Sequence, residues 1–306
     1  MPGAPRPCPD RVSTIVHVSA SLRVRAVRCT IPAGECGAIE YAAASTLALP
    51  QRGVFIRYDA PQRVCIADRS HGVFFTADRP YRVRHPAPGG DDCLVLEPAP
   101  DALRELLDVL DPPTADRPAE PFRTSAILLA PRQILERRLL WQRLQTGRVD
   151  PLEIDARAHD LFASAVRQAA APRPGRFAGS RGAALAFAAQ ELMAARPQSR
   201  WSLTTIAAEV GCSPFHLAHV FRTCLGLPIH QYLVRLRLAA ALDAVLDDRL
   251  DLSRIALDNG FAHHSHFSAS FRRAFGLSPS ALRRHAATTR ATAVRNFVTA
   301  AQRAAR

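Results

Sequence analysis

Two segments near the C-terminal end of the chain repeat each other, and this repeat constrains the fold more than any other feature of the sequence. The first segment is LTTIAAEVGCSPFHLAHVFRTCLGLP, from Leu203, and the second is LSRIALDNGFAHHSHFSASFRRAFGLSP, from Leu252. Equivalent residues are 49 positions apart before the internal turn and 50 after it. The matched pairs are Leu203, Ile206, Ala207 and Gly211 with Leu252, Ile255, Ala256 and Gly260, and Leu217, Phe221, Arg222, Gly226 and Leu227 with Phe267, Phe271, Arg272, Gly276 and Leu277.

Each copy has the pattern of a helix-turn-helix. The internal glycine, Gly211 or Gly260, can adopt the left-handed conformation that ends a first helix. In the first copy Ser213 is a natural N-cap, and Pro214 follows at the first helical position. The second helix buries apolar residues at spacings of four and leaves its other face free for DNA. The sequence therefore predicts helix-turn-helix units over 203–226 and 252–276, joined by a long amphipathic helix.

Net positive charge is higher at the same end of the chain, because acidic residues are scarce there. The protein has 40 basic residues, all of them arginine, and a net charge of +13. Residues 200–306 hold 14 arginines against 6 acidic residues, and no acidic residue follows Asp258. Such a surface suits a polyanion, because neutralised phosphates release their condensed counterions. A solvated basic tail would account for the charge taken alone.

The second unit and the joining helix carry a more specific pattern. It consists of Ala256, Gly260, Phe261, Ser265, Phe267, Phe271, Arg272, Phe275, Gly276, Ser278 and Pro279, followed by Arg283 or Arg284, with Tyr232, Leu233, Arg237, Leu238, Ala241 and Leu242 on the joining helix. Over about residues 180–285 the chain thereby resembles the AraC/XylS family of bacterial transcriptional regulators. The resemblance implies double-stranded DNA as a partner, RNA polymerase as a further one, an upstream cupin-like ligand-binding domain and a helical dimerisation segment.

The resemblance also places the residues that would contact DNA. The start of the second recognition helix would make base and phosphate contacts, and an alanine one turn on could touch only a thymine methyl group. A structural ion pair remains an alternative role for Arg272, and holding the fold is the expected role of Arg237. The candidate DNA-binding residues are Phe215, His216, Ala218, His219, His264, Ser265, His266, Ala269, Arg272 and Arg273.

A cluster of three histidines, at positions 263, 264 and 266, raises the alternative of a metal site. His263 and His266 would share a helix face, and imidazole is a common zinc ligand. However, no Cys, Asp or Glu follows Asp258 to complete a tetrahedral set. We therefore expect no metal here, and we place His263 at the N-cap, where it solvates the turn.

The first part of the chain has a different pattern. Short runs rich in Val, Ile, Phe and Tyr between turn residues predict an antiparallel β-barrel or sandwich up to Pro98, and helical spacing follows. The apolar face of 134–140 fits either the core of its own domain or a dimer seam. The predicted fold is α+β and multidomain: a frayed N-terminus (1–12), a cupin-like β-barrel (13–98), a helical dimerisation segment (99–171), a linker (172–179), an all-α domain with two helix-turn-helix units (180–288) and a basic tail (289–306).

Within the β-domain the candidate effector-binding residues lie on the predicted strands. A ligand pocket needs apolar walls and a few convergent polar groups. The histidines at 71 and 85 lack the HxH and Glu spacing of cupin enzymes, and the seven cysteines form no CxxC pair. We therefore expect no metal, no cofactor and no enzymatic activity. The candidates for an unknown small-molecule effector are Arg57, Tyr58, Tyr81 and His85.

These features together predict a sequence-specific DNA-binding regulator, an activator or a repressor, that responds to an effector and forms a homodimer. No apolar run approaches the length that crosses a bilayer, so we expect a cytoplasmic, nucleoid-associated protein without a membrane partner. Two alternatives are a cupin-type metalloenzyme fused to a DNA-binding domain and a non-specific nucleoid-binding protein. Neither accounts for two units that keep their turn glycines while their exposed residues differ.

Overall fold

Strands dominate the chain up to Pro98, and helices dominate it from Pro100 onward. The structure is a computed structural model that describes residues 11–286 apart from 31–32, 35, 61–62, 147–149, 172–180 and 248–249. Most of the predicted N-terminal end, the linker and the basic tail thus lie outside the described residues. None of the helices in the described part of the chain is long and apolar enough to cross a bilayer.

Ten strands in the described part of the chain form two antiparallel sheets. The larger sheet has the order β1-β2-β9-β4-β7-β10 and the smaller one the order β3-β8-β5-β6. In the larger sheet Cys29 lies opposite Asp91, and Leu22 lies opposite Pro98. The strands are β1 (Arg11–Val18), β2 (Leu22–Cys29), β3 (Glu40–Tyr41), β4 (Thr46–Arg52), β5 (Phe55–Ala60), β6 (Arg63–Ala67), β7 (His71–Phe75), β8 (Pro80–Arg84), β9 (Asp91–Pro98) and β10 (Ala126–Leu128).

The described strands of the β-domain form two facing sheets and not the closed barrel that the sequence predicted. No ladder among the described strands closes them into one sheet, so the cupin-like barrel is not confirmed at this level. Phe55 and Cys65 of the smaller sheet share a core with Val27, Val73 and Val95 of the larger one. Apolar side chains on the inner faces therefore hold the sheets together, as in a sandwich.

Ten helices occupy the rest of the described chain, and the predicted helices are all found among them. Residues 279–286 are also helical. The helices are α1 (Pro100–Leu110), α2 (Pro112–Ala115), α3 (Pro131–Thr146), α4 (Pro151–Ala170), α5 (Arg181–Ala195), α6 (Leu203–Glu209), α7 (Pro214–Leu225), α8 (Ile229–Asp247), α9 (Leu252–Asp258) and α10 (His264–Phe275).

The helical segment is joined to the β-domain more closely than the predicted boundaries allow. Strand β10 lies inside this segment and pairs with β7 at the edge of the larger sheet. On α3, Ile134 and Leu140 are fully buried, and Leu135 and Leu139 pack against the same core. The apolar face of α3 thus lies within the chain's own core, and a dimer seam would need another surface.

Helix α8 connects the two helix-turn-helix units and belongs to both. Its first half, including Tyr232 and Leu236, packs into the core of α5, α6 and α7. Its second half, including Leu242 and Leu246, packs with Phe267 and Phe271 of α10. One continuous helix therefore fixes the placement of each unit.

Candidate nucleic-acid interface

Local capping defines the first helix-turn-helix. Ser202 begins α6 with a capping box, in which its side chain accepts from the Thr205 backbone N–H at 3.0 Å. Ser213 begins α7 by accepting from the His216 N–H at 3.2 Å. Between them Gly211 has a φ of 71°, which ends α6 in the left-handed region. The predicted N-cap at Ser213 is therefore confirmed.

The second unit has the same plan with different capping residues. Asp251 begins α9 by accepting from the backbone of Ser253 at 2.8 Å. His263 begins α10, where its Nδ1 accepts from the backbone N–H of His266 at 3.2 Å. Gly260 has a φ of 79° at the turn. The expectation that His263 is a turn residue is confirmed, because its ring nitrogen serves the helix end.

The two recognition helices expose equivalent positions. On α7 the exposed positions 215, 219 and 222 lie along one face, and on α10 the exposed positions 265, 269 and 272 do the same. Spacings of four and then three place each set on one side of its helix. We call these two sets the recognition stripes: Phe215, His219 and Arg222 on α7, and Ser265, Ala269 and Arg272 on α10.

Phe215 departs most from the usual behaviour of its residue type. Its side chain is 86% exposed at the start of α7, next to the exposed His216. An aromatic ring so far out of the core has no packing role within the described residues that would account for it. A ring in this position can make an apolar contact with a thymine methyl group. Ala218, also a candidate, is half-buried and lies beside the stripe.

The histidines of α10 differ in their exposure. His264 is exposed, and its Nε2 lies 3.2 Å from the Ser268 hydroxyl. His266 is half-buried, with its ring 5.4 Å from the ring of Phe261 in an edge arrangement. Burial, and then the nearby basic groups, lower the pKa of His266. His266 therefore packs against the turn as well as facing outward, which the sequence pattern did not indicate.

Arginines lie at the far end of both stripes. Arg222 is exposed on α7 and borders an open groove of about 510 Å³ with His219, Thr223 and Gly226. On α10, Arg272 and Arg273 are both exposed in the last turn. Guanidinium groups in these positions can bind phosphate oxygens at the edges of a groove.

Arg237 has the fold-holding role expected from the sequence. It is buried on α8, where its Nε donates to the Pro197 carbonyl at 2.9 Å and a terminal nitrogen donates to the Ser199 carbonyl at 2.7 Å. These bonds fix the loop between α5 and α6 against the joining helix. A side chain used in this way is not available to DNA.

The candidate effector residues are engaged by internal partners and do not converge on one point. Arg57 is buried, donates to the Phe74 carbonyl and lies 4.2 Å from the centroid of the Phe75 ring. Tyr81 is also buried, and its hydroxyl donates to Glu40 at 3.1 Å. Arg57 and Tyr81 are neighbours, since the guanidinium lies 5.7 Å from the tyrosine ring.

The other two effector candidates lie elsewhere in the domain. The hydroxyl of Tyr58 accepts from the Nε of Arg84 at 3.2 Å. His85 is 1% exposed, and its Nε2 lies 2.6 Å from the Asp91 carboxylate. Burial lowers the pKa of His85, but its interactions with the Asp91 carboxylate and with Cys29 outweigh burial and raise that pKa to about 9. His85 thus belongs to a polar cluster of its own.

A buried contact between the β-domain and α8 has no signal in the sequence. Asp68, just after β6, accepts from the Tyr232 hydroxyl at 2.7 Å and from Ser70 at 2.6 Å, and His71 lies 3.0 Å away. Burial alone would raise the pKa of Asp68, but His71, Ser70 and Tyr232 outweigh it and hold that pKa at about 2. The carboxylate is therefore charged and fully used at neutral pH.

Two arginines extend this contact along α8. Arg69 donates to the Asp243 carboxylate at 3.1 Å and to the Ala240 carbonyl at 3.3 Å. Arg138 of α3 pairs with the same carboxylate. We call Asp68, Arg69, Arg138, Tyr232 and Asp243 the α8 contact. Asp68 and Tyr232 are 164 positions apart, and Arg69 and Asp243 are 174 positions apart, so no local pattern could have indicated this contact.

The paired units, their caps and their exposed stripes define the C-terminal part of the chain as a tandem helix-turn-helix DNA-binding domain. A family model described as "Helix-turn-helix domain" matches residues 206–285. This match supports the resemblance of the C-terminal domain to those of AraC/XylS family transcriptional regulators.

Similarity to curated relatives falls in the same region. The chain is 34% identical over 85 residues to the transcriptional activator AarP of Providencia stuartii, which is 28% of this chain and 63% of AarP. It is 34% identical over 88 residues to the activator RhaR of Escherichia coli and 30% identical over 83 residues to the virulence regulon activator VirF of Yersinia enterocolitica. The last two matches cover 29% and 27% of this chain and 31% of each relative. The chain thus spans less than two thirds of these relatives' own length.

Solved structures with similarity to the chain fall into two groups. A transcriptional regulator from Chromobacterium violaceum with an AraC-type DNA-binding domain is 30% identical, covers 34% of this chain and 93% of its own, and has a TM-score of 0.32. ToxT from Vibrio cholerae is 11% identical, covers 86% of this chain and 98% of its own, and has a TM-score of 0.35.

Proposed function

We propose that the protein is a transcriptional regulator that binds specific DNA sequences with both helix-turn-helix units. The observation that carries this proposal is the pair of recognition stripes, which occupy equivalent positions on α7 and α10 and differ in the residues that would contact bases. Phe215 and His219 on one helix correspond to Ser265 and Ala269 on the other. Two different surfaces on one scaffold suit two different base-pair segments.

The arginines of the stripes have a separate role in this proposal. Arg222, Arg272 and Arg273 bind backbone phosphates and set the register of each helix in its major groove. Phosphate contacts supply affinity and orientation, and base contacts supply sequence discrimination. His264 and Ser265, at the start of α10, then lie where base edges and the nearest phosphate would be.

Selection of bound sites from random DNA with the full chain tests this proposal. We expect enrichment of a sequence with two blocks, bound at least 10³-fold more tightly than scrambled DNA at physiological salt. Arg272→Ala should weaken binding to all sequences alike and reduce the slope of log affinity against log salt by about 1. Equal affinity for selected and scrambled DNA would contradict sequence-specific binding and favour a non-specific nucleoid protein.

We further propose that the β-domain is a cupin-like sensory domain and not a catalytic one. The α8 contact supports this proposal, because it connects the β-domain directly to the helix that both units share. The α8 contact can be formed or broken, and a ligand that binds one of these two states more tightly than the other would change their populations. Repeating the DNA selection with and without a panel of metabolites tests this step, and an unchanged set of sites and affinities would contradict it.

The remaining partners follow from the class of protein. The relatives AarP, RhaR and VirF are named as activators, which supports RNA polymerase as a partner and activation as the mode of action. Such a regulator acts on the bacterial chromosome, in the cytoplasm. A homodimer remains a prediction, and the mass of the protein in solution, measured by light scattering, tests it.

A further inference from the structure

The β-domain contains a buried group of metal-binding side chains that no part of the DNA-binding proposal uses. A thiol, an imidazole nitrogen and a carboxylate oxygen, from Cys29, His85 and Asp91, all lie within 4.8 Å of one another. All three side chains are buried. Their ligand atoms are therefore close enough together to bind one ion between them.

The backbone is built to bring these residues together. Cys29 at the end of β2 is directly opposite Asp91 at the start of β9, so both side chains lie on one face of the sheet. Gly90 has a φ of 63°, and a Cβ at this position would overlap the carbonyl of Cys29. Only glycine allows the chain to pass so close to β2 just before Asp91. The approach that places the carboxylate beside the thiol thus depends on one residue.

The polar atoms in this group are not fully paired by the protein. His85 Nε2 lies 2.6 Å from Asp91 Oδ1, but His85 Nδ1 is buried without a hydrogen-bond partner among the described residues. A buried polar atom without a partner is costly, so it points to a further ligand. Cys93, two positions along β9, donates from its Sγ to Asp91 Oδ2 at 3.1 Å. A second thiol is thus next to the three clustered groups.

We propose that Cys29, His85 and Asp91 form a zinc site, with Cys93, whose Sγ lies 3.1 Å from Asp91 Oδ2, as the candidate for a fourth position. Thiolate, imidazole and carboxylate are the ligands that Zn²⁺ takes in proteins, at about 2.0–2.3 Å and in tetrahedral geometry. Thiolates favour zinc over calcium and magnesium, which require oxygen ligands. Binding expels the proton of the Cys29 thiol and the proton on His85 Nδ1, the nitrogen without a hydrogen-bond partner among the described residues, while His85 Nε2 keeps its hydrogen bond with Asp91. This site is independent of DNA binding and contradicts our sequence-based expectation of no metal.

Metal titration of the full-length protein tests the proposal. After treatment with a chelator, the protein should bind one equivalent of Zn²⁺, release protons, and bind Co²⁺ with the thiolate-to-metal charge-transfer absorption of a cysteine ligand. Cys29→Ser and His85→Gln should each weaken Zn²⁺ binding by about 100-fold or more, since loss of even an outer-sphere partner costs 10- to 100-fold. Cys65→Ser is the matched control, because Cys65 is a buried cysteine of the same domain that lies outside the group.

Thermal unfolding provides a second measurement, in case a variant folds poorly. Zn²⁺ should raise the Tm of the wild-type chain and of Cys65→Ser, because an ion that binds only the folded state stabilises it. It should not raise the Tm of Cys29→Ser. The proposal is overturned if the wild-type chain binds no equimolar zinc, if Cys29→Ser and His85→Gln bind it as tightly as the wild type, or if Cys65→Ser loses it as well.

Discussion

Three neighbouring histidines at the start of α10 have three different roles. His263 ends the turn by capping the helix, His264 is exposed, and His266 packs against Phe261. The sequence predicted the cap, because the first unit places Ser213 at the equivalent point. It did not predict the packing of His266, because that depends on where the aromatic ring of another residue lies.

Two substitutions separate these roles. We expect His264→Ala to weaken binding to the selected DNA site by about 1 kcal/mol, within the range of base-edge contacts, and to leave the Tm unchanged. His263→Ala should lower the free energy of unfolding by about 1 kcal/mol through loss of the cap. Fluorescence anisotropy with labelled DNA and denaturant unfolding measure the two effects. A large loss of stability in His264→Ala would assign this residue to the fold instead.

Asp68 makes stability depend on pH in a predictable direction. Its pKa is about 2 in the folded chain and 3.8 for an ordinary aspartate, so its stabilising effect is complete above pH 4 and is lost as the pH falls toward 2. We expect Asp68→Asn to be less stable than wild type by about 2 kcal/mol at pH 7. Urea unfolding at a series of pH values should show this difference shrinking below pH 4. A difference that stays constant down to pH 2 would contradict the assignment.

At the scale of elements, the parts found from sequence are those with local signals. Helices α6, α7, α9 and α10 have caps, terminal glycines and apolar spacing within a few residues of each other, and the repeat supplies each signal twice. Strand β10 was missed because three residues carry no pattern and their pairing with β7 is long-range. Cys29, His85 and Asp91 were missed for the same reason, since a sheet register and a turn bring them together.

Alanine substitutions at the two turn glycines, Gly211 and Gly260, test how closely each unit packs against its surroundings. At Gly260 a Cβ would lie 2.7 Å from the Gln198 carbonyl and 2.9 Å from Arg237 Nε, whereas at Gly211 nothing lies within 4 Å. Both residues have positive φ, so an alanine at either position is strained by about 1–2 kcal/mol. We expect Gly211→Ala to cost only this strain and Gly260→Ala to cost about 1–3 kcal/mol more from overpacking. Chemical denaturation compares the pair, and equal losses would contradict the close approach to Arg237.

At the scale of the whole molecule, the three predicted regions share one core. Leu47 and Leu94 of the larger sheet, Phe162 of α4 and Phe267 of α10 belong to a single apolar cluster. The sequence predicted each region but not their packing against one another. The residues that join them are apolar core residues like any others, and nothing in the sequence distinguishes them. The β-domain and the second unit are therefore packed together in this state of the protein.

Substitution of Asp243 tests whether the α8 contact holds this packing. We expect Asp243→Asn to cost at most about 1 kcal/mol of global stability, because this carboxylate is partly exposed. It should nevertheless speed hydrogen exchange in α8 and around Arg69, since local opening becomes easier. Asp258→Asn is the matched control, as it removes an exposed pair with Arg254 inside α9. Exchange that is unchanged in Asp243→Asn would show that apolar packing alone holds the regions together.

Because α8 is one unbroken helix from Ile229 to Asp247 with each half in a different core, it fixes the angle and the distance between the two recognition helices. A helix turns by about 100° and rises by about 1.5 Å per residue. One inserted residue in α8 would therefore rotate the second unit out of phase with the first. We expect operators for this protein to tolerate changes of base more readily than changes of spacing, and the duplex to bend where its pitch does not match the protein.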